Sequence, residues 1–243
     1  PGAVRVRLVR DLSGPAPHPE VGGRHPLPSI PDWAATLGRL GITPDTAVVL
    51  YDDQGGVNAA ARAWWMLVAS GHERVAVLDG GLQAALEAGI ALEEGEVRPA
   101  PVDPYPVTGW RRPIVDADGA AHAARAPETL LLDVRSPERY RGETEPIDPV
   151  AGHIPGALNV PLTGNLDAQG RFRPWGDLEA HYAELFDDVD PTDVVVQCGS
   201  GVTACHTLLA LEVAGLGGGA LYVGSWSEWC RTDRPQATGP EPG

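Results

Sequence analysis

The chain has 243 residues, 43% of them hydrophobic, enough to bury one large domain or two small ones. Eighteen basic residues against thirty-three acidic ones leave a net charge of −15; such a surface repels nucleic acid and anionic membranes, so an anionic ligand needs its own local positive group. Three cysteines (Cys198, Cys205 and Cys230) are too few for a disulfide framework and fit no zinc-site spacing, and no apolar run approaches the roughly 18 residues of a membrane span, so a reducing, cytoplasmic setting is expected.

In chain order, Thr46–Tyr51 reads as a short buried strand. It runs into Asp52-Asp53-Gln54-Gly55-Gly56-Val57-Asn58-Ala59 and then a helix over Ala60–Ala69 carrying Trp64 and Trp65. A second apolar strand, Val75–Leu78, ends in Asp79-Gly80-Gly81. Glu93–Pro113 is rich in proline, glutamate and glycine and reads as a semi-rigid extended linker pinned by Trp110. Beyond it, Leu130-Leu131-Leu132-Asp133-Val134-Arg135 is a strand entering polar residues, and Ser136 before Pro137 reads as the N-cap of a short helix. Gly152-His153-Ile154-Pro155-Gly156-Ala157 is a tight turn. Asp193–Gln197 is a strand, Cys198–Thr203 a turn, Ala204–Ala214 a helix and Leu221–Val223 a final strand.

The two halves share one plan. Setting Val57-Asn58-Ala59 on Val202-Thr203-Ala204 places Gly56 on Gly201, Gly55 on Ser200 and Asp53 on Cys198, a register of about 145 residues that reads as domain duplication. The expected domains are 1–95, a linker over 96–112, and 113–243. Matching Pro1-Gly2-Ala3-Val4 to Pro155-Gly156-Ala157-Leu158 implies a first copy without its opening strand and helix. Strands alternating with helices, and short strands that are wholly apolar, predict an α/β fold: two domains, each a mainly parallel sheet with helices on both faces. Ligands of such sheets sit at the carboxyl ends of the strands, where Cys198 falls.

Only the second copy carries the thiol. Gly199 and Gly201 let the loop curl its amides inward, and a helix start follows; both features favour a thiolate and an anion cradle over Gly199, Ser200, Gly201, Val202 and Thr203. A cysteine at a strand end can equally be plain core. Cys205 and Cys230 read that way, the latter among Trp226 and Trp229. A cysteine phosphatase loop is one residue longer and closes on an arginine. Here Val202-Thr203-Ala204 closes the loop, so phosphate chemistry is disfavoured.

Asp133-Val134-Arg135, the Gly152–Ala157 turn, the Cys198–Ala204 loop and Gly224-Ser225-Trp226-Ser227-Glu228-Trp229 resemble the tandem rhodanese sulfurtransferases, with Trp64-Trp65 and Leu78-Asp79-Gly80-Gly81 resembling the inactive copy. The resemblance implies ping-pong transfer of sulfane sulfur from thiosulfate or 3-mercaptopyruvate through a persulfide on Cys198. The acceptor would be cyanide, a small thiol or a thioredoxin-like protein, with no metal or organic cofactor. It implies Arg139 as the donor-binding arginine, structural hydrogen bonds for Arg135, and a turn-bracing role for His153. The loop form resembles the 3-mercaptopyruvate enzymes and makes Ser200 a hydrogen-bonding or proton-relay residue, with Thr203 near it. Two departures stand out. No second arginine occurs in Glu145–Ala151, and Val9 stands where the resemblance places an aspartate from the first domain, with Arg7 at a nearby acidic position; either that segment is altered, or Asp11 serves instead, or the donor differs. The competing class is a non-catalytic persulfide carrier or redox-binding module that docks on a thiol protein.

Overall fold

The computed structural model describes residues 2–243. They form two compact units, the first of residues 2–15 and 27–112, the second of residues 16–26 and 113–243. Pro1, the start of the expected Pro-Gly-Ala match, lies outside the described residues.

The first unit holds α1 (Leu8–Asp11), α2 (Ile30–Arg39), β1 (Val48–Leu50), α3 (Ala59–Ala69), β2 (Val75–Val77) and α4 (Gly81–Glu87). α2 starts where sequence chemistry asks it to: the Ser29 hydroxyl accepts the Asp32 N–H at 3.2 Å and Pro31 occupies the first turn. It stops at Gly41, whose φ of +72° lets the Ile42 N–H return to the Leu37 carbonyl at 3.0 Å. β1 and β2 pair in parallel, Val48 with Val75 through Leu50 with Val77, and α3 packs on both. The core gathers Trp33, Leu37, Trp65, Met66 and Leu67, and the Trp33 indole N–H donates to the Ser70 hydroxyl at 2.7 Å.

Within the expected linker 96–112, residues 102–111 are bound to this unit by their backbone. Val102 donates to Gly38 at 2.9 Å, Tyr105 to Ala34 at 3.0 Å and Arg111 to Ala69 at 2.6 Å. Trp110 tilts against Trp33 and Trp65 at 6.3 and 6.1 Å. The physical reason is that prolines remove donors but leave carbonyls and the intervening N–H groups free to dock on helices.

The second unit carries β3 (Ile114–Val115), α5 (Ala117–Ala123), β4 (Leu130–Asp133), α6 (Pro137–Tyr140), β5 (Leu158–Asn159), α7 (Trp175–Phe186), β6 (Val194–Gln197), α8 (Ala204–Val213), β7 (Ala220–Tyr222) and α9 (Ser225–Trp229). Its five strands lie in the order β3-β7-β6-β4-β5, every pair parallel. β6 is central and all four of its residues are buried, which is why it reads as an unbroken apolar run. Ser136 stands at the N-cap position of α6, but its side chain makes no capping bond; its carbonyl accepts from Arg139 and Tyr140 instead. The 145-residue register holds in the folded chain, since β2 maps onto β7 residue for residue and α3 begins opposite the start of α8. Among the described residues no helix is long and apolar enough to cross a membrane.

Replacing Trp33 by alanine is expected to destabilise the first unit by about 3–5 kcal/mol, since it removes a fully buried indole. Urea unfolding followed by tryptophan fluorescence checks this.

Candidate active site

Cys198 leaves the carboxyl end of β6, the central strand, and is 1% exposed. The loop from Cys198 to Thr203 turns through Gly201 at φ +69°. A side chain there would run into the backbone of Val223, so only glycine lets the loop pass so close to the end of β7. Three hydrogen bonds fix the backbone of Cys198 and Gly199. The Ser225 hydroxyl accepts the Cys198 N–H at 3.1 Å, and the Trp226 and Ser227 N–H groups donate to the carbonyls of Cys198 and Gly199 at 3.1 and 2.8 Å. The amides of Ser200, Val202 and Thr203 donate to no other group among the described residues.

The matching loop of the first unit shows what such amides hold. There Asp52 turns its carboxylate into the ring and accepts from Gln54 at 3.0 Å, Gly56 at 2.7 Å, and Asn58 and Ala60 at 3.1 Å each. The position equivalent to Asp52 is Gln197, whose side-chain oxygen accepts the Trp226 N–H at 3.1 Å. One copy supplies its own anion and the other does not.

Around Gly199 the second unit concentrates positive charge. A Cβ built on Gly199 would lie 3.5 Å from both terminal nitrogens of Arg139 and 3.6 Å from Arg24 Nη2, so two guanidinium groups face the same side of the loop. Arg139 comes from α6, immediately beyond β4, and binds Glu145 at 2.7 Å. Arg24 comes from residues 16–26, where Gly22 and Gly23, both at positive φ, bring the backbone against α9: the Gly22 N–H donates to Glu228 at 2.9 Å and the Arg24 N–H to Ser227 Oγ at 3.0 Å. Arg24 pairs with Asp148, which also takes Arg231 at 2.8 Å and lies 3.7 Å from Arg139.

Arg135 faces inward. It binds Asp133 at 2.6 Å and the Gly152 carbonyl at 2.7 Å, approaches Glu145 at 3.5 Å and lies 4.9 Å over the Trp226 ring. Burial disfavours its charge, but the Asp133 carboxylate, helped by Glu145, outweighs burial and holds its pKa above the ordinary value. Four guanidinium groups thus share the carboxylates of Asp133, Glu145 and Asp148, with one positive charge in excess.

Ser200 is buried and its hydroxyl lies 2.8 Å from His25 Nδ1. Arg24 and His25 escaped the sequence reading, which looked for the second arginine close to the Gly152 turn. Their signal was the run Gly22-Gly23-Arg24-His25-Pro26, where paired glycines announce a close backbone approach. His153 is buried, stacks on Tyr140 at 3.7 Å and bonds the Tyr140 carbonyl at 2.8 Å. Cys205 lies in α8 with its sulfur 3.3 Å from the Gly201 carbonyl. Cys230 is buried, and burial followed by the nearby Asp148 pushes its thiol pKa up. Val9 is exposed on α1, and Asp11, the expected substitute, is engaged within the first unit by Arg39 at 2.6 Å and the Arg7 N–H at 2.8 Å.

A parallel sheet repeated in two copies, with a cysteine opening the strand-to-helix loop of the second, defines a class, and the chain belongs to it: the rhodanese-like domain family, whose model matches residues 1–88 and 116–232. Among individual relatives, the chain is 47% identical to the probable 3-mercaptopyruvate sulfurtransferase of Pseudomonas aeruginosa, across 98% of this chain and 84% of that protein. It is 44% identical to a Mycobacterium tuberculosis protein named "Putative thiosulfate sulfurtransferase SseB", across 94% and 79%. The solved 3-mercaptopyruvate sulfurtransferase of Leishmania major superposes with a TM-score of 0.79 at 30% identity, over 93% of this chain; the chain spans 62% of that protein's length.

Arg135→Met is expected to cost about 3–5 kcal/mol of stability, because it leaves Asp133 charged and buried without its partner. Thermal and urea unfolding of the variant check the figure.

Proposed function

We propose that the chain is a sulfurtransferase enzyme that takes sulfane sulfur onto Cys198 from a small anionic donor and hands it to a thiol or cyanide acceptor. The observation that carries this reading is the convergence at one loop of a cysteine, unengaged amides and two guanidinium groups. The Cys198 thiolate attacks the donor sulfur, the donor's bond to that sulfur breaks, and the new persulfide lies within the amides of Ser200, Val202 and Thr203. The acceptor, cyanide, a small thiol or a thioredoxin-like protein, then attacks the outer sulfur and regenerates the thiolate.

Of the two donors, the site favours 3-mercaptopyruvate. Its carboxylate matches the forked donors of Arg24 and Arg139. Loss of its sulfur leaves an enolate that needs a proton, and Ser200 with His25 at 2.8 Å is a hydrogen-bonded pair able to supply one. Thiosulfate releases sulfite and needs no proton at carbon.

Cys198→Ser is expected to abolish turnover with both donors and the gain of about 32 Da, one sulfur, that donor treatment gives the wild type; retained turnover removes Cys198 from the chemistry. Arg24→Ala and Arg139→Ala should each raise the KM for 3-mercaptopyruvate roughly 10- to 100-fold, the value of a lost charge-assisted contact. Ser200→Ala should lower kcat with 3-mercaptopyruvate far more than with thiosulfate. An equal loss with both donors argues against a proton role. Steady-state kinetics with the two donors in parallel decide these points.

A further inference from the structure

Ser225 is one of two non-glycine residues at positive φ among the described residues, at +51°, and its side chain is completely buried. A left-handed backbone position of this kind favours glycine, and the residue before it, Gly224, is itself glycine. Backbone shape alone would be served better by glycine at 225. What serine adds is one hydroxyl, placed between two carbonyl-and-amide ends: it donates to the Tyr222 carbonyl at 2.8 Å and accepts the Cys198 N–H at 3.1 Å.

The bond has a direct consequence for the nucleophile. The Cys198 N–H is turned to the back of the loop, its carbonyl is held at the same face by Trp226 N–H at 3.1 Å, and both ends of the residue are thereby fixed. With N–H and carbonyl anchored, the Cα–Cβ bond of Cys198 is held in one direction at the head of the loop, whose Ser200, Val202 and Thr203 amides donate to no other group among the described residues. The geometry points to Ser225 as a positioning residue that aims the Cys198 sulfur through the cysteine's own backbone. This rests on the reading of Cys198 as the sulfur-accepting nucleophile. At φ +51° the hydroxyl reaches both partners.

Ser225→Gly relieves the backbone at positive φ while removing the hydroxyl together with its Cβ, and Ser225→Ala removes the hydroxyl alone and keeps the strain. The expected result for Ser225→Gly is a melting temperature close to wild type, a donor KM within about twofold, and a kcat for sulfur uptake lowered roughly 10- to 100-fold, the scale of a misaimed reacting atom. Ser225→Ala, which also lacks the hydroxyl, should show the same kcat loss together with a lower melting temperature. Wild-type kcat in Ser225→Gly overturns the proposal, as does a fall in kcat matched by a rise in KM and a loss of stability, the pattern of a purely structural residue. If the wild-type chain takes up no sulfur on Cys198 from either donor, the reading beneath the proposal fails as well, an outcome distinct from a wild type that works and a glycine variant that works equally.

Discussion

The Asp148 carboxylate is the constraint on which the candidate site depends. It is buried, and it draws Arg24 from residues 16–26, Arg231 from just beyond α9 and the edge of Arg139 from α6 into one place. Guanidinium groups repel one another, and three of them would not share a pocket beside a strand end without countercharge. Glu145 performs the same service for Arg139 and Arg135. Positive charge is thereby concentrated at the carboxyl end of β6, with part of it left over for a ligand.

The two loops of the duplicated plan answer one physical problem in opposite ways. A tight turn leading into a helix leaves inward-facing N–H groups that cost free energy when buried without an acceptor. In the first unit Asp52 answers this with four hydrogen bonds. In the second unit Gln197 is turned away to Trp226, and the problem is passed to whatever occupies the cradle. The substitution of a thiol for Asp53 is therefore only half of the difference between the copies; the other half is the removal of the resident carboxylate one residue earlier.

The fold was legible because its signals are local. Apolar runs marked β4 and β6, paired motifs marked the duplication, and the Cys198 loop is contiguous in sequence. The site was legible only where it is contiguous or follows directly from a strand, as with Ser200 and Arg139. Arg24 and His25 arrive by a tertiary return that no periodicity encodes, and Asp148 looked like an ordinary loop acid until its partners were in view. Residues 96–112 were read as a linker because composition records proline and charge. It does not record that Gly38, Ala34 and Ala69 offer carbonyls at matching intervals.

The assignment of residues 16–26 to the second unit gives the chain an interleaved path. It leaves the first unit after Pro15, contributes Arg24 and His25 to the second, and returns at Leu27 to complete the first. Modularity by duplication is therefore broken at the level of the polypeptide: a fragment starting at Pro113 would contain the sulfur and the loop but neither of these two side chains. During synthesis the ribosome delivers the two groups about a hundred and seventy residues before Cys198, so the second unit must recruit a segment made long before its own sheet exists.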